Sequence, residues 1–589
     1  MKIKKLFLVL IIVTFSFSSL ARDFDSPLFK ALEDELKRNI ENLKLENEKP
    51  PYFISYRVLE RERVNITSSF GAIVKEKESK DRVLFIDLRV GDPNFDNSNF
   101  VSTSEPYGNI RSAVRLPLED DYDSIREAVW LATDEMYKNA IDTLAKKKST
   151  LAHREVKEQI PDFTTSVPFK FSEEIKKISI DKKVWRENLK RLSSILRSYP
   201  EFLSSRISFS SSSIAQYYID SDGNKNIRND LLTSVEVFVD AITADGLKIK
   251  DYISFHARFP EELPNMKEME DRIKEMADEI RAYSIAPVEK EYSGPILFLP
   301  PASCEFFYHT LAKGVSDARK PFYEFDRLKD MREENRGFLS PKIGKMVMPS
   351  FFNAWCDPTQ TSWNNRSLIG KISVDDQGVK SEKIEVIKNG KLVNIPLGRT
   401  PVKEKSGSNG HGRYLNGSVV GFVSNLFVES EKTSEDIERD FIQLLKERGL
   451  EFGIVIKRLN PQAPLSYEEL IEQIYTLIGK KKEILPPPFI CYKLYTDGRK
   501  EYVRGLKFEG VTLATLQDIL MAGKDKEVYN LLVRDSFQSI YERLPIGAEL
   551  PVSIVAPSIV VDRMVLTFLE EKAEKKPYLK NPFFEKGQK

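Results

Sequence analysis

Histidine is scarce in this chain: His153, His256, His309 and His411 are the whole supply in 589 residues. That bounds any reading built on imidazole ligands or imidazole general bases. Cysteine is scarcer, with Cys304, Cys356 and Cys491 far apart. They make no CxxC pair and no disulfide framework, and are read as three buried thiols. Net charge is absent too: 90 basic residues face 89 acidic ones. No polyanion such as a nucleic acid is therefore expected as the bulk partner. The chain has no GxSxG nucleophile elbow, no GxxxxGK[ST] loop, no GxGxxG after a strand and no HExxH. Those absences remove the common serine-hydrolase, nucleotide-binding and zincin readings. No internal repeat of short period is visible, and after the first residues no apolar run is long enough for the ~20 residues of a membrane span.

The one apolar run that exists is N-terminal. Three lysines lie in Met1–Lys5, Leu6 to Phe17 is almost wholly apolar, and Ser19-Leu20-Ala21 follows. This is the pattern of a secretory signal peptide cleaved after Ala21, with export to a periplasmic or extracellular space. No cysteine follows the run, so no lipid anchor is expected there.

With 41% apolar and 11% aromatic residues the rest reads as folded, and its length calls for two or three domains. The expected division is residues 22–155, 156–285 and 286–575, with a frayed tail over 576–589. The fold class is α+β: an antiparallel-sheet-rich N-terminal region with long helices, then a C-terminal mixed β domain with peripheral helices. Leu28, Leu32, Leu36, Ile40 and Leu43 give the first helix. Strands are predicted over Tyr52–Leu59, Val64–Val74 and Arg82–Val90, and a long surface loop over Gly91–Glu119. Ser124 with Glu127 reads as a capping box opening a helix to Lys147, whose lysines 146–148 are read as a solvated end. Glu155–Lys177 reads as a linker and Val184–Leu196 as a helix. Turns at Asp220–Asn224 and Asp245-Gly246 mark a second meander. Met266, Met269, Ile273, Met276 and Ile280 form one core-facing helical stripe.

In the C-terminal part, strands are expected at Lys371–Val374, Lys383–Ile387, Ile490–Tyr495, Lys500–Val503 and Val552–Val555. Asp375-Asp376-Gln-Gly378 reads as a turn. Helices are expected at Ser434–Arg448, Leu513–Met521 and Lys526–Arg543. Gly294–Lys320 organises this half: strand Pro295–Leu299, a Pro-Pro break, then an apolar helix carrying His309. Glu305 lies one turn before His309, so the two could share a helix face as metal ligands or simply hydrogen bond. Catalytic zinc needs about three protein ligands and a base beside its water. The Gly-rich stretch Ser406–Arg413 could hold a peptide backbone or carboxylate through His411 and Arg413.

Several separated stretches resemble the TldD/PmbA family of metallopeptidase-related proteins. They are Gly294–Phe298 leading into the helix, Asp375–Val379, Val386–Lys391, Gly398–Pro401, Asn409–Arg413 and Ser424–Phe427, in the family's order. Tyr218–Gly223 fits in the N-terminal half, and the leader with Val555–Ser558 resembles an exported branch. The resemblance implies an HExxxH helix binding zinc with a distant cysteine. Laid on this chain, His309 takes the first histidine, but Thr310 stands for the glutamate and Gly314 for the second histidine. Cys491 lies in a strand rather than a Gly-rich setting. The chain therefore looks like the PmbA/TldE-type members that lack the motif and pair with an active relative. That implies no cofactor (zinc through Glu305 and His309 being the alternative), binding residues Arg399, Asn409, His411 and Arg413, and as partners a paralogue with an intact motif or a peptide. A homo- or heterodimer fits this resemblance. The family's association with DNA gyrase fits an exported chain poorly.

Overall fold

The computed structural model describes residues 24–103, 113–154, 160–177, 179–330, 336–415, 417–459, 483–533 and 549–570. The predicted signal peptide and the tail lie outside them.

Helix α1 (Pro27–Asn42) starts where the Ser26 hydroxyl accepts the Phe29 N–H at 3.2 Å. Strands β1 (Pro51–Ser69) and β2 (Ala72–Asp92) form one long hairpin through Phe70-Gly71, both at positive φ. The two strands expected at 52–59 and 64–74 are thus a single strand up to Ser69. The polar middle of β1 does not break it, because a partner on each side supplies its hydrogen bonds. The expected loop 91–119 contains short strands at Phe95–Asp96, Phe100–Val101 and Ala113–Arg115.

Helix α2 (Tyr122–Arg154) is longer than its apolar stripe suggested. Its entry is held by Asp121, whose carboxylate accepts the Ser124 N–H at 2.8 Å, rather than by the expected Ser124 box. Its lysine run is not a uniformly solvated end. Lys146 pairs outward with Asp142, but Lys147 is fully buried. The Lys147 ammonium donates to Asp162 at 2.6 Å, to the Ser98 carbonyl at 2.7 Å and to the Asp96 carbonyl at 3.0 Å. Burial pulls its pKa down against the pull of Asp162. The partner comes from the stretch read as a linker, which also buries Phe163 and contributes strand β3 (Lys170–Ser172). Removing one member of a buried ion pair costs about 3–5 kcal/mol. Lys147→Ala is therefore expected to lower the thermal midpoint in calorimetry, whereas Lys146→Ala leaves it in place.

After α3 (Lys182–Ser194) come β4 (Phe202–Asp220), β5 (Lys225–Ile242) and β6 (Lys248–Ala257). These join the first hairpin in one sheet, ordered β2-β1-β4-β5, with β6 and β3 both on β5. The first two sequence regions therefore share a sheet. Along β1, Ile54, Tyr56 and Val58 face a core made with α1 and α2. The alternate residues face the C-terminal half, with Leu59 packing against Tyr414. Helix α4 (Met266–Ile285) lays its methionine stripe into a second core with β4–β6.

The C-terminal half is a mixed sheet around β7 (Glu291–Phe298). Strands β8 (Phe352–Cys356), β9 (Ile384–Lys388), β10 (Gly412–Leu415), β11 (Asn425–Ser430), β12 (Phe452–Leu459), β13 (Pro488–Tyr495), β14 (Lys500–Val503), β15 (Ile519–Val533) and β16 (Leu550–Phe568) follow. The sheet runs β9-β8-β11-β16-β7-β12-β13-β14, with β15 also on β16. β7 is parallel to β12 and β11 parallel to β16; the other neighbours on this path are antiparallel. Where helices were expected from Leu513 onward, there is a 3₁₀ turn (Leu513–Leu516) and then β15. Residues beyond Val533 in that second helix lie outside the described ones. The helical spacing there yields to ladder pairing with β16 over Lys526–Val533. Lys371–Val374 is not a strand; it leads into the Asp375 turn through a bridge from Val374 to Lys380. Helix α5 (Ile437–Glu447) is capped by Asp436 and closed by Gly449 at φ 66°, one residue beyond Arg448.

Candidate functional site

The His309 helix follows β7 and is buried nearly all round. It begins as α-helix (Ala302–Phe307), widens into a π turn (Tyr308–Ala312) and ends at Lys313–Val315. Phe306, Phe307 and Leu311 are fully buried and pack it into the main core with Phe298. A π turn inserts extra residues into a helix, often where function requires them. Here the insertion holds His309 and Thr310, both buried.

Each position of the site is otherwise committed. The Thr310 hydroxyl donates to the Phe306 carbonyl at 2.7 Å, so it is spent inside its own helix. A side chain at Gly314 would meet Leu339 Cδ1 at 2.6 Å and Phe338 Cε2 at 2.8 Å, and the Leu339 N–H fixes that loop to the Gly314 carbonyl at 2.8 Å. Glu305 accepts the Tyr529 hydroxyl at 2.9 Å on one oxygen and the Leu459 N–H at 2.8 Å on the other. Both its oxygens are thus drawn to β15 and β12. Cys304, Cys356 and Cys491 are buried thiols, and burial pushes Cys491 up to about 12 and Cys356 up to about 11. Among the described residues no group of three or more His, Cys, Asp or Glu side chains is placed to hold a metal ion. The donor set of this helix fits catalytic zinc poorly, because it offers one imidazole and a Glu305 carboxylate whose two oxygens already accept from Tyr529 and Leu459.

Burial raises the Glu305 carboxyl to about 7 despite the two donors, and raises Asp375 likewise to about 7. An acid whose folded pKa is raised binds more protons folded than unfolded. Stability is then greatest below the ordinary carboxylate range and falls as pH rises towards about 7. Glu305→Gln is expected to flatten part of the stability loss between pH 5 and about 7 in denaturant titrations, leaving the part due to Asp375.

The Gly-rich loop tells a different story. Arg399 is fully buried and spends its guanidinium on the N-terminal half: Asp220 at 3.1 Å, Asp222, and the Thr164 carbonyl at 2.9 Å. It also lies over the rings of Phe53 and Phe163, at 4.7 and 4.1 Å from their centroids. Asn409 braces its own loop, donating to the Ile395 carbonyl at 2.9 Å and accepting the Leu397 N–H at 2.8 Å. His411 is buried, and its Nδ1 meets the Asn409 carbonyl at 3.0 Å. That contact makes Nδ1 the protonated nitrogen and leaves Nε2 as an acceptor. Burial lowers the His411 pKa to about 4, so it stays neutral and does not supply the positive charge a carboxylate would want. Arg413 is buried, and its Nε and Nη1 have no hydrogen-bond partner among the described residues.

Sequence reasoning missed what Arg413 joins. The Asp375–Val379 turn presses on the N-terminal sheet, where Gly378, at φ 78°, leaves no room for a Cβ against the Tyr218 ring at 2.5 Å. Asp375 accepts three backbone N–H groups, from Gln377 and Val379 at 2.9 Å and Gly412 at 2.8 Å. Asp376 accepts the Tyr414 N–H at 2.7 Å and reaches Arg228 at 2.9 Å and Arg57 at 3.6 Å. The positive charges of Arg228, Arg57 and Arg413 hold its carboxyl well below the usual range. The available signal was an arginine at alternating position in an otherwise buried strand, Ser55-Tyr-Arg57-Val-Leu59. Of the other histidines, His256 pairs with the Ser234 hydroxyl at 2.7 Å and His153 is exposed.

Residues 295–463 match the family model described as PmbA/TldA metallopeptidase C-terminal domain. No curated protein matches the chain in sequence. Solved structures of similar fold include one from Thermotoga maritima described as a putative modulator of a DNA gyrase, at TM-score 0.53 and 15% identity, covering 87% of this chain and 96% of that one. TldE from Thermococcus kodakarensis aligns at TM-score 0.53 and 12% identity over 91% of this chain and 100% of its own. A Bacteroides thetaiotaomicron protein, also described as a gyrase modulator, aligns at 0.52 and 10% identity over 92% and 98%. At these identities the structures carry the fold alone, and the domain match carries the kinship. Residues 295–463 are thus similar to the PmbA/TldA metallopeptidase C-terminal domain, and the chain shares the fold of these TldE and gyrase-modulator structures.

Proposed function

We propose that this chain is an exported TldD/PmbA-family protein that does not itself hydrolyse peptide bonds through zinc, and that it works as a partner subunit or peptide-binding scaffold in proteolysis. The carrying observation is the filling of the Gly314 position by Leu339 and Phe338, beside a Thr310 that is spent within its helix. A water on zinc needs a base and a complete ligand set; His309 is the one group of the implied motif present here. Export rests on the N-terminal sequence pattern. The partner role rests on the resemblance to motif-lacking members, which pair with a relative bearing an intact HExxxH.

The test has two arms. Purified protein is expected to hold no stoichiometric zinc by elemental analysis; about one zinc per chain, lost in His309→Ala, would overturn the reading. Expressed beside a relative with an intact HExxxH, the chain is expected to co-purify with it and to alter its peptidase rate. Recovery as a lone monomer that neither binds peptide nor changes that rate would sink the partner role.

A further inference from the structure

The C-terminal sheet ends at β14, which has β13 on one side and an open edge on the other. Residues of an antiparallel strand turn their N–H and C=O groups to alternate sides. Arg499 is turned towards β13, since its carbonyl accepts the Tyr495 N–H at 2.9 Å. Arg504 is turned outward: its N–H donates to the Pro287 carbonyl at 3.1 Å, and its carbonyl accepts the Glu289 N–H at 3.0 Å. Lys500 and Tyr502, in step with Arg504, therefore face outward too. Among the described residues no hydrogen bond reaches their outward main-chain groups. Pro287–Glu289 thus pairs with the end of this edge and leaves its next two outward positions unpaired.

Tyr502 also lines a cleft of about 510 Å³. Helix α4 forms one wall from Asp271 to Ala282, and Lys457 of β12 reaches across to it. That stretch of helix rises about 16 Å at 1.5 Å per residue, the length of about five residues of extended chain. The lining sets Asp271, Glu275, Asp278 and Glu279 against Lys274 and Lys457. Lys457 is spent on Glu275 at 3.0 Å and on Glu279 at 2.5 Å. Asp278 is exposed and accepts the neutral Tyr199 hydroxyl at 3.0 Å; among the described residues no cation pairs with it. An acidic cleft of this length beside an unpaired strand edge suits an extended chain, whose backbone supplies affinity by pairing and whose side chains supply choice.

We propose that the cleft between α4 and β14 binds an extended peptide segment bearing a basic side chain, which adds as a strand along Lys500–Tyr502 and sets that side chain against Asp278. This rests on the peptide-scaffold reading above and gives it a site, and it uses no residue of the His309 helix.

The experiment titrates a blocked, dye-labelled pentapeptide of alternating valine and lysine into the full mature chain and reads fluorescence anisotropy. Two controls share its length: one carries glutamate in place of lysine, and one is N-methylated at alternate amides and cannot complete a ladder. Saturable binding of the lysine peptide is expected, with each control about tenfold weaker. Asp278→Lys, at an exposed position, is expected to weaken binding about fivefold. On binding, hydrogen exchange read residue by residue is expected to slow at the Lys500 and Tyr502 amides. It is expected to stay as it was at Glu501 and Val503, whose amides already lie in the ladder with β13. Binding without that slowing, or undiminished in Asp278→Lys, overturns this site and leaves the scaffold reading in place. No binding of the lysine peptide, or equal binding of either control, also overturns the site. The scaffold reading falls with it only if the chain also leaves its relative's peptidase rate unchanged.

Discussion

Arg399→Met is expected to destabilise the protein by about 3–5 kcal/mol, the cost of breaking a buried ion pair from one side. The substitution keeps the side chain's apolar volume, so the loss reports charge and hydrogen bonds rather than a cavity. It would leave Asp220, fully buried, with Tyr218 and Asn224 but no cation. It would also strand the Thr164 carbonyl and remove the cation from the faces of Phe53 and Phe163. Because Arg399 belongs to one half and Asp220 to the other, the effect should appear as a loss of coupling between them. Hydrogen exchange is expected to rise along β4 near Asp220 and along the 396–402 loop together. Asp220→Asn should cost less in the Arg399→Met background than in wild type, since the stranded charge is gone; equal costs in both would mean that the pair does not couple.

Installing the missing motif is expected to fail. Gly314→His must displace Leu339 and Phe338, which stand 2.6–2.8 Å from where its Cβ would go. Overpacking of this kind costs about 1–3 kcal/mol. Thr310→Glu adds a buried carboxylate in place of a hydroxyl that is satisfied by the Phe306 carbonyl. The double variant is therefore expected to unfold at lower temperature than wild type, to bind no stoichiometric zinc and to show no peptidase activity. Leu339→Ala should relieve part of the Gly314→His penalty and none of the Thr310→Glu penalty. A double variant as stable as wild type and holding zinc would show that the helix keeps room for the site.

The parts of this protein that were legible in its sequence are those set by local pattern. The methionine stripe specified α4, and the Asp-Gly pairs at 245–246 and 497–498 specified hairpin turns. The ordered series of short motifs from Gly294 to Phe427 specified the kinship that the match over 295–463 bears out. Local pattern failed wherever a distant strand or charge was the partner. Residues 526–533 have helical spacing yet form a strand, because β16 offers them a ladder. Lys147 reads as a solvated helix end yet is buried, because Asp162 reaches it from a segment that looked like a linker.

For the candidate site the sequence by itself determined which residues stand where the resemblance puts the zinc motif: His309, Thr310 and Gly314, of which one is an imidazole and none a carboxylate. The tertiary structure decided the rest. It filled the Gly314 position with Leu339 and Phe338, and turned Glu305 towards Tyr529 and Leu459. It made Arg399 a clamp and brought Arg57, Arg228 and Arg413 around Asp376. The physical reason is that a charge in water needs no partner and leaves no mark on its neighbours in sequence. Once buried it must be paired, and the partner comes from whichever segment the fold brings near.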